Sequence, residues 1–102
     1  MEAKGKLNIS HTIEGRDTLK LELSGDLDVS TAPQLKKFID RLINEGNTNF
    51  KLDLSSLSYL DSSGYGVLVD ATRKIGIGQG KVDFTNLPPW FSEFFDIAAL
   101  EK

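Results

Sequence analysis

Cysteine is absent from the 102-residue chain. Its absence excludes disulfides and thiolate-held metals. No apolar run approaches the ~20 residues that a membrane-crossing helix needs. The first six residues also lack the apolar stretch of a secretory signal. The expectation is a cytoplasmic protein with no membrane insertion. Basic residues form no stripe; the net charge is −3, with acids and bases mixed along the chain. Nothing therefore argues for a nucleic-acid surface. Gly-x-Ser-x-Gly and the Walker lysine pattern are both missing, so neither a serine-hydrolase elbow nor a phosphate-binding loop is spelled. Repeats, linkers and low-complexity segments are missing too. What is present is ordinary globular composition, 39% hydrophobic and 26% charged. That suits one domain, 1–102, with a core from about 7 to 100.

The apolar positions carry a strand pattern first. Leu7, Ile9, His11 and Ile13 alternate with Asn8, Ser10 and Thr12, a period of two. Glu14-Gly15-Arg16-Asp17 reads as a turn. Leu19, Leu21 and Leu23 alternate in a second strand, so the pair forms an antiparallel hairpin. Thr31-Ala32-Pro33-Gln34 then reads as a capping box opening a helix. Leu35, Phe38, Ile39, Leu42 and Ile43 follow at helical spacing. Phe50, Leu52 and Leu54 mark strand three. A helix is expected from about Ser62 to Ile75, stopped by Gly76-Ile77-Gly78-Gln79-Gly80. Val82 and Phe84 mark strand four. A last helix is expected from about Trp90 to Ala99.

Alternation in every strand implies one covered and one wet sheet face. The expected fold class is α/β, with a mixed sheet of four or more strands and helices packed on one face. Strands two to four, joined through helices, should run parallel with right-handed crossovers. Their following loops should then share the carboxyl edge, where open α/β sheets tend to bind ligands and partners. That edge would gather Gly25 to Asp28, Tyr59 to Gly64, and Asn86.

The segment Asp61-Ser62-Ser63-Gly64-Tyr65-Gly66 falls where strand three should give way to a helix. A serine or aspartate there suits a helix cap. An exposed hydroxyl there also suits phosphorylation, because a helix start offers free N–H donors and a favourable dipole. Both uses stay open on residue type alone. A nucleophilic Ser62 would need an imidazole base, and the sole histidine, His11, sits in strand one, where a core-edge or partly exposed role is expected. Asp26, Asp28 and Asp61 admit a magnesium site in principle, but turn and edge roles explain them, and no metal site is expected. Gly76 to Gly80 follows a helix instead of a strand, so it is a connection and not a dinucleotide loop. Trp90, Phe91, Phe94, Phe95 and Ile97 cannot share one narrow stripe. At least one of Trp90 and Phe95 should stay exposed for a partner or a second copy, so a homodimer is among the expected partners.

These motifs together resemble a STAS domain of the anti-sigma factor antagonist family. The resemblance spans about Leu7 to Lys102. It rests on Gly25-Asp26-Leu27-Asp28-Val29-Ser30-Thr31-Ala32, on Leu52-Asp53-Leu54 through Tyr59-Leu60-Asp61-Ser62-Ser63-Gly64-Tyr65-Gly66, and on Gly80-Lys81-Val82 with Asn86-Leu87. It implies a binding protein and not an enzyme. Such a protein captures an anti-sigma factor serine kinase, frees a sigma factor, is released by phosphorylation and is restored by a serine phosphatase. It implies Ser62 as phosphoacceptor, with Ser63 second. Asp28, Thr31, Asp61, Gly64 and Tyr65 are implied, with Ser62, in partner binding. No cofactor is implied, because ATP and metal belong to the partners. Tyr65 departs from the aliphatic residue usual in the family, and Ala99 from the usual glycine. Relatives typically continue past the position of Lys102 with a short strand and helix. A second expectation is an unphosphorylated STAS scaffold in a stress-signalling or lipid-transport assembly.

Overall fold

In the computed structural model, residues 5–100 are described. The elements run β1 (Leu7–Glu14), β2 (Thr18–Leu27), α1 (Ala32–Asn44), β3 (Asn49–Leu60), α2 (Ser62–Ile77), β4 (Lys81–Thr85), α3 (Phe91–Phe94) and a 3-10 turn (Ile97–Leu100). Sheet order is β1-β2-β3-β4. β1 and β2 pair antiparallel, with Leu7 opposite Gly25 and Glu14 opposite Thr18. β2–β3 and β3–β4 pair parallel. The expected α/β architecture is therefore present, hairpin and parallel crossovers included.

Alternation does bury one sheet face. Leu21, Leu23, Phe50, Leu52 and Leu54 join Leu35, Ile39 and Leu42 of α1 and Leu68, Ala71 and Ile75 of α2 in one core. The opposite face carries charge. Lys51 meets Glu14 at 2.6 Å, and Lys20 meets Glu22 at 3.5 Å. The Lys51 ammonium holds the Glu14 carboxyl below its ordinary range.

β3 is longer than its period-two stretch announces, because two extra residues enter it. Glu22 pairs with Asp53 but Ser24 with Ser56; Gly25 pairs with Leu57 but Asp26 with Tyr59. Each step is a bulge, and a bulge re-aims the residues after it. Buried positions change spacing accordingly: Phe50, Leu52 and Leu54, then Leu57 and Leu60. The Asp53 carboxylate accepts the Ser55 N–H at 2.9 Å and braces the first bulge.

Five expectations need correction. Trp90 and Phe95 are both half-buried against the core, and the exposed aromatic of their segment is Phe94, at 72%. The core-side row of β1 runs out: Leu7 is buried, but His11 and Ile13 are exposed. The far half of the hairpin outruns the buried core, and His11 instead packs against Phe38 with tilted rings, centroids 5.6 Å apart. Thr31 and Gln34 form no capping box, since Thr31 makes no side-chain cap bond. Gln34 instead donates from Nε2 to the Leu7 carbonyl at 3.1 Å. α2 passes Ile75 and runs to Ile77. The last helix is broken: α3 ends at Phe94, Phe95 is extended, and the 3-10 turn starts at Ile97. The Asp96 carbonyl is taken by the Tyr65 hydroxyl at 2.7 Å, and the Asp96 carboxylate accepts the Ala98 N–H at 3.0 Å. Local side-chain bonds of this kind compete with helix continuation.

Candidate functional site

The carboxyl edge of β2 and β3 is held by two aspartates, Asp28 within one turn and Asp61 between two. Asp28 closes the turn between β2 and α1. Its Oδ1 accepts from the Ser30 N–H at 2.9 Å, the Ser30 hydroxyl at 2.6 Å and the Thr31 N–H at 3.1 Å. The Ser30 hydroxyl is the foremost cause that holds the Asp28 carboxyl below its ordinary value, and the two N–H groups add to it. The Thr31 hydroxyl turns back, donating to the Asp26 carbonyl at 2.7 Å and accepting from the Asp28 N–H at 2.9 Å. This use of the hydroxyl inside the turn is the reason it does not cap α1.

Asp61 joins this turn to the next one. Its backbone is extended at the N-cap of α2, and its Oδ1 accepts the Gly64 N–H at 3.0 Å. Its Oδ2 accepts the Val29 N–H at 3.0 Å. Its own N–H donates to the Leu27 carbonyl at 3.2 Å. One side chain therefore caps α2 and fixes the β2–α1 turn beside it. Gly64 makes this approach close. A Cβ at that position would collide with the Leu27 carbonyl oxygen and come within 2.8 Å of Leu60 Cδ1. The glycine is required by proximity, since no positive φ is involved.

Ser62 is the first residue of α2 and is exposed, while Ser63 is half-buried. Among the described residues, the N–H groups of Ser62 and Ser63 meet no acceptor. Thr31 and Gly64 are buried. Tyr65 is half-buried. Its ring lies 5.0 Å from Phe95 and 6.3 Å from Phe91, and its hydroxyl is held by the Asp96 carbonyl. Its contacts therefore tie α2 to the chain's last described segment.

Asn86 does not join the edge. β4 ends opposite Asp53, and Asn86 donates to that carboxylate at 3.1 Å, seven residues before Leu60 in β3. Alternation alone aligns the strand ends without the bulged extension. It gives no place to Val29, which is 70% exposed on the turn that Asp61 holds. An apolar residue between Asp28 and Ser30, outside any periodic stretch, was the available signal. No group of three or more potential metal ligands occurs among the described residues. No helix of those residues is long and apolar enough to cross a membrane.

A family model described as "Mlab, STAS domain" matches residues 10–102. The anti-sigma-B factor antagonist of Listeria monocytogenes is 30% identical over 96 residues, covering 92% of this chain and 84% of that protein. Its counterpart in Bacillus subtilis is 27% identical over 88 residues, covering 86% and 80%. Among solved structures, the unphosphorylated anti-sigma factor antagonist SpoIIAA superposes with a TM-score of 0.72 at 26% identity, over 86% of this chain and 81% of that one. The phosphorylated Bacillus cell fate determinant SpoIIAA gives 0.75 at 26% identity, over 91% and 85%. These relatives bear the names of regulatory antagonists, not of enzymes. With the family model spanning nearly the whole chain, and with the sheet and helices it calls for in place, the protein belongs to the STAS domain family.

Proposed function

We propose that this chain is an anti-sigma factor antagonist that captures an anti-sigma factor serine kinase, and that phosphorylation of Ser62 releases the partner. The observation that carries the reading is an exposed hydroxyl on the first residue of α2, beside an aspartate that fixes both neighbouring turns. A phosphate there adds a charge of about −1.5 to −2. The unengaged N–H groups of Ser62 and Ser63 and the positive end of α2 suit it, for about 0.3–1 kcal/mol at an exposed position. The host domain therefore keeps its fold. A partner lying over Ser62 and Val29 meets the bulk and charge directly, and burying an unpaired charge costs far more than that. The asymmetry favours dissociation over unfolding. A serine phosphatase would reset the site.

Incubation with a cognate kinase and ATP, read by intact mass and peptide mapping, tests this. One phosphate on Ser62, none on Ser62→Ala, and retention on Ser63→Ala is the expected pattern. Normal incorporation by Ser62→Ala would refute the assignment. Inverting a complex from 99:1 to 1:99 takes about 5.5 kcal/mol, so Ser62→Asp should weaken capture strongly without matching the full switch.

A second reading is an unphosphorylated scaffold in a lipid-transport or stress-signalling assembly. An apolar groove of about 330 Å³ lined by Ser58, Tyr59, Leu60, Trp90, Phe94 and Phe95 supports it. Unchanged mass after kinase treatment, with co-purification of a membrane ATPase, would select this reading.

A further inference from the structure

The two edges of the sheet are protected unequally. β4 has five residues, carries Lys81 and Asp83, and is followed by Pro88 and Pro89. Shortness, charge and proline all discourage edge pairing. β1 has eight residues, Leu-Asn-Ile-Ser-His-Thr-Ile-Glu, with no lysine, arginine or proline. Its Ile13 is 72% exposed. An edge of this length and composition is a template for another strand.

Which backbone groups are free follows from the hairpin register. The Asp26 N–H bonds the Lys6 carbonyl at 2.8 Å, so Lys6 and Asp26 form a hydrogen-bonded pair. In an antiparallel ladder such pairs alternate. Asn8, Ser10, Thr12 and Glu14 therefore turn their N–H and C=O groups toward β2, and Leu7, Ile9, His11 and Ile13 turn theirs outward. The Leu7 carbonyl is already taken by Gln34 Nε2 at 3.1 Å. Ile9, His11 and Ile13 remain as three residues with both groups unpaired among the described residues.

This free set is symmetric about His11. We infer that β1 pairs antiparallel with β1 of a second copy, His11 opposite His11 and Ile9 opposite Ile13, joining two four-stranded sheets into one of eight. In this register each of the three residues exchanges two bonds with its opposite number, and no free group of the set is left over. The Gln34 bond survives, which discriminates against the register that would put Leu7 opposite Ile13. All paired residues have the same parity, so both copies keep their core side on one face, as a shared sheet demands. Each exposed Ile13 gains the half-buried Ile9 of the other copy as a cross-strand neighbour. A two-fold contact of this kind uses the same patch twice and closes on itself.

The test is the association state of the full chain by sedimentation velocity from about 1 μM to about 1 mM, the range of weak complexes. The expected result is a concentration-dependent dimer. Hydrogen exchange at the Ile9, His11 and Ile13 amides should slow as concentration rises, while the Ser10 and Thr12 amides, bonded to β2, should not change. His11→Pro removes one donor from each copy, and Ile13→Lys places charge at the seam. Each should lower the association constant about tenfold or more. Should the proline variant unfold, Ile13→Lys alone carries the test, because its side chain is solvent-facing in the monomer. A monomer across the whole range would overturn the inference. So would a dimer that Ile13→Lys leaves intact with the three amides unprotected. Neither result touches the Ser62 reading, which is read by mass on a monomer or a dimer alike.

Discussion

The two ends of α2 are built to different standards. The start is over-determined: Asp61 accepts from Gly64 and from Val29, and Gly64 lies against Leu27 and Leu60 without room for a Cβ. The far end is loose. Ile77 is 76% exposed, Gly76 has nothing near it for a side chain to meet, and the chain turns through Gln79 at a φ of +67°. Backbone bonds close that end, from Gly78 to Lys74, Gln79 to Gly76 and Gly80 to Ile75, and its side-chain tie is Lys74 Nζ donating to Asp40 of α1 at 2.9 Å; close packing resumes only at Gly80, against the Thr48 carbonyl. The difference teaches that positional accuracy in this helix is concentrated where the exposed serine is, while the other end only has to return the chain to β4.

Substitutions can break or sharpen that contrast. The largest effect belongs to Gly64→Ala. The added carbon collides with backbone as well as side chains, so it should destabilise by about 1–3 kcal/mol, read as a lower urea midpoint with unchanged slope. Next, Asp61→Ala removes the cap and the bond to Val29, for about 1–2 kcal/mol. Exchange at the Val29 and Gly64 amides should rise well above that elsewhere in α2. At the loose end the sign reverses. Gln79→Gly relieves a left-handed residue and should stabilise by up to about 1 kcal/mol; a loss there would mean that the Gln79 side chain does more than turn the chain. The smallest effect is on pH dependence. Asp28 has a depressed pKa, so its contribution is present above its ordinary value of 3.8 and is lost as the pH falls through its lower folded value. Asp28→Asn should flatten the acid limb of the thermal midpoint against pH in that range.

Much of this was legible in the residues. The hairpin, the parallel order and the two long helices follow from periods of two and 3.6, because burial repeats at those periods. The Asp61-to-Gly64 turn was legible because a helix start demands acceptors for free N–H groups. What stayed hidden depended on distant partners. Thr31 looks like a cap until its hydroxyl is seen to prefer the Asp26 carbonyl. The run Trp90 to Ala99 looks helical until Tyr65, thirty-one residues from Asp96, takes its carbonyl. Asn86 looked level with Ser62 because the extension of β3 carries no alternating pattern. The phosphoacceptor reading of Ser62 rests on resemblance, since residue type alone favours a helix cap and only leaves the phosphoacceptor open.

The changed spacing at the end of β3 has a bearing on how such domains vary. Leu54, Leu57 and Leu60 are three apart because each bulge adds one residue. A one-residue deletion there would leave every hydrophobic letter intact yet swing the outgoing chain by half a pleat. Mutational drift along this stretch is therefore constrained by count as much as by chemistry: insertions and deletions should be purged from it even where most polar substitutions are neutral.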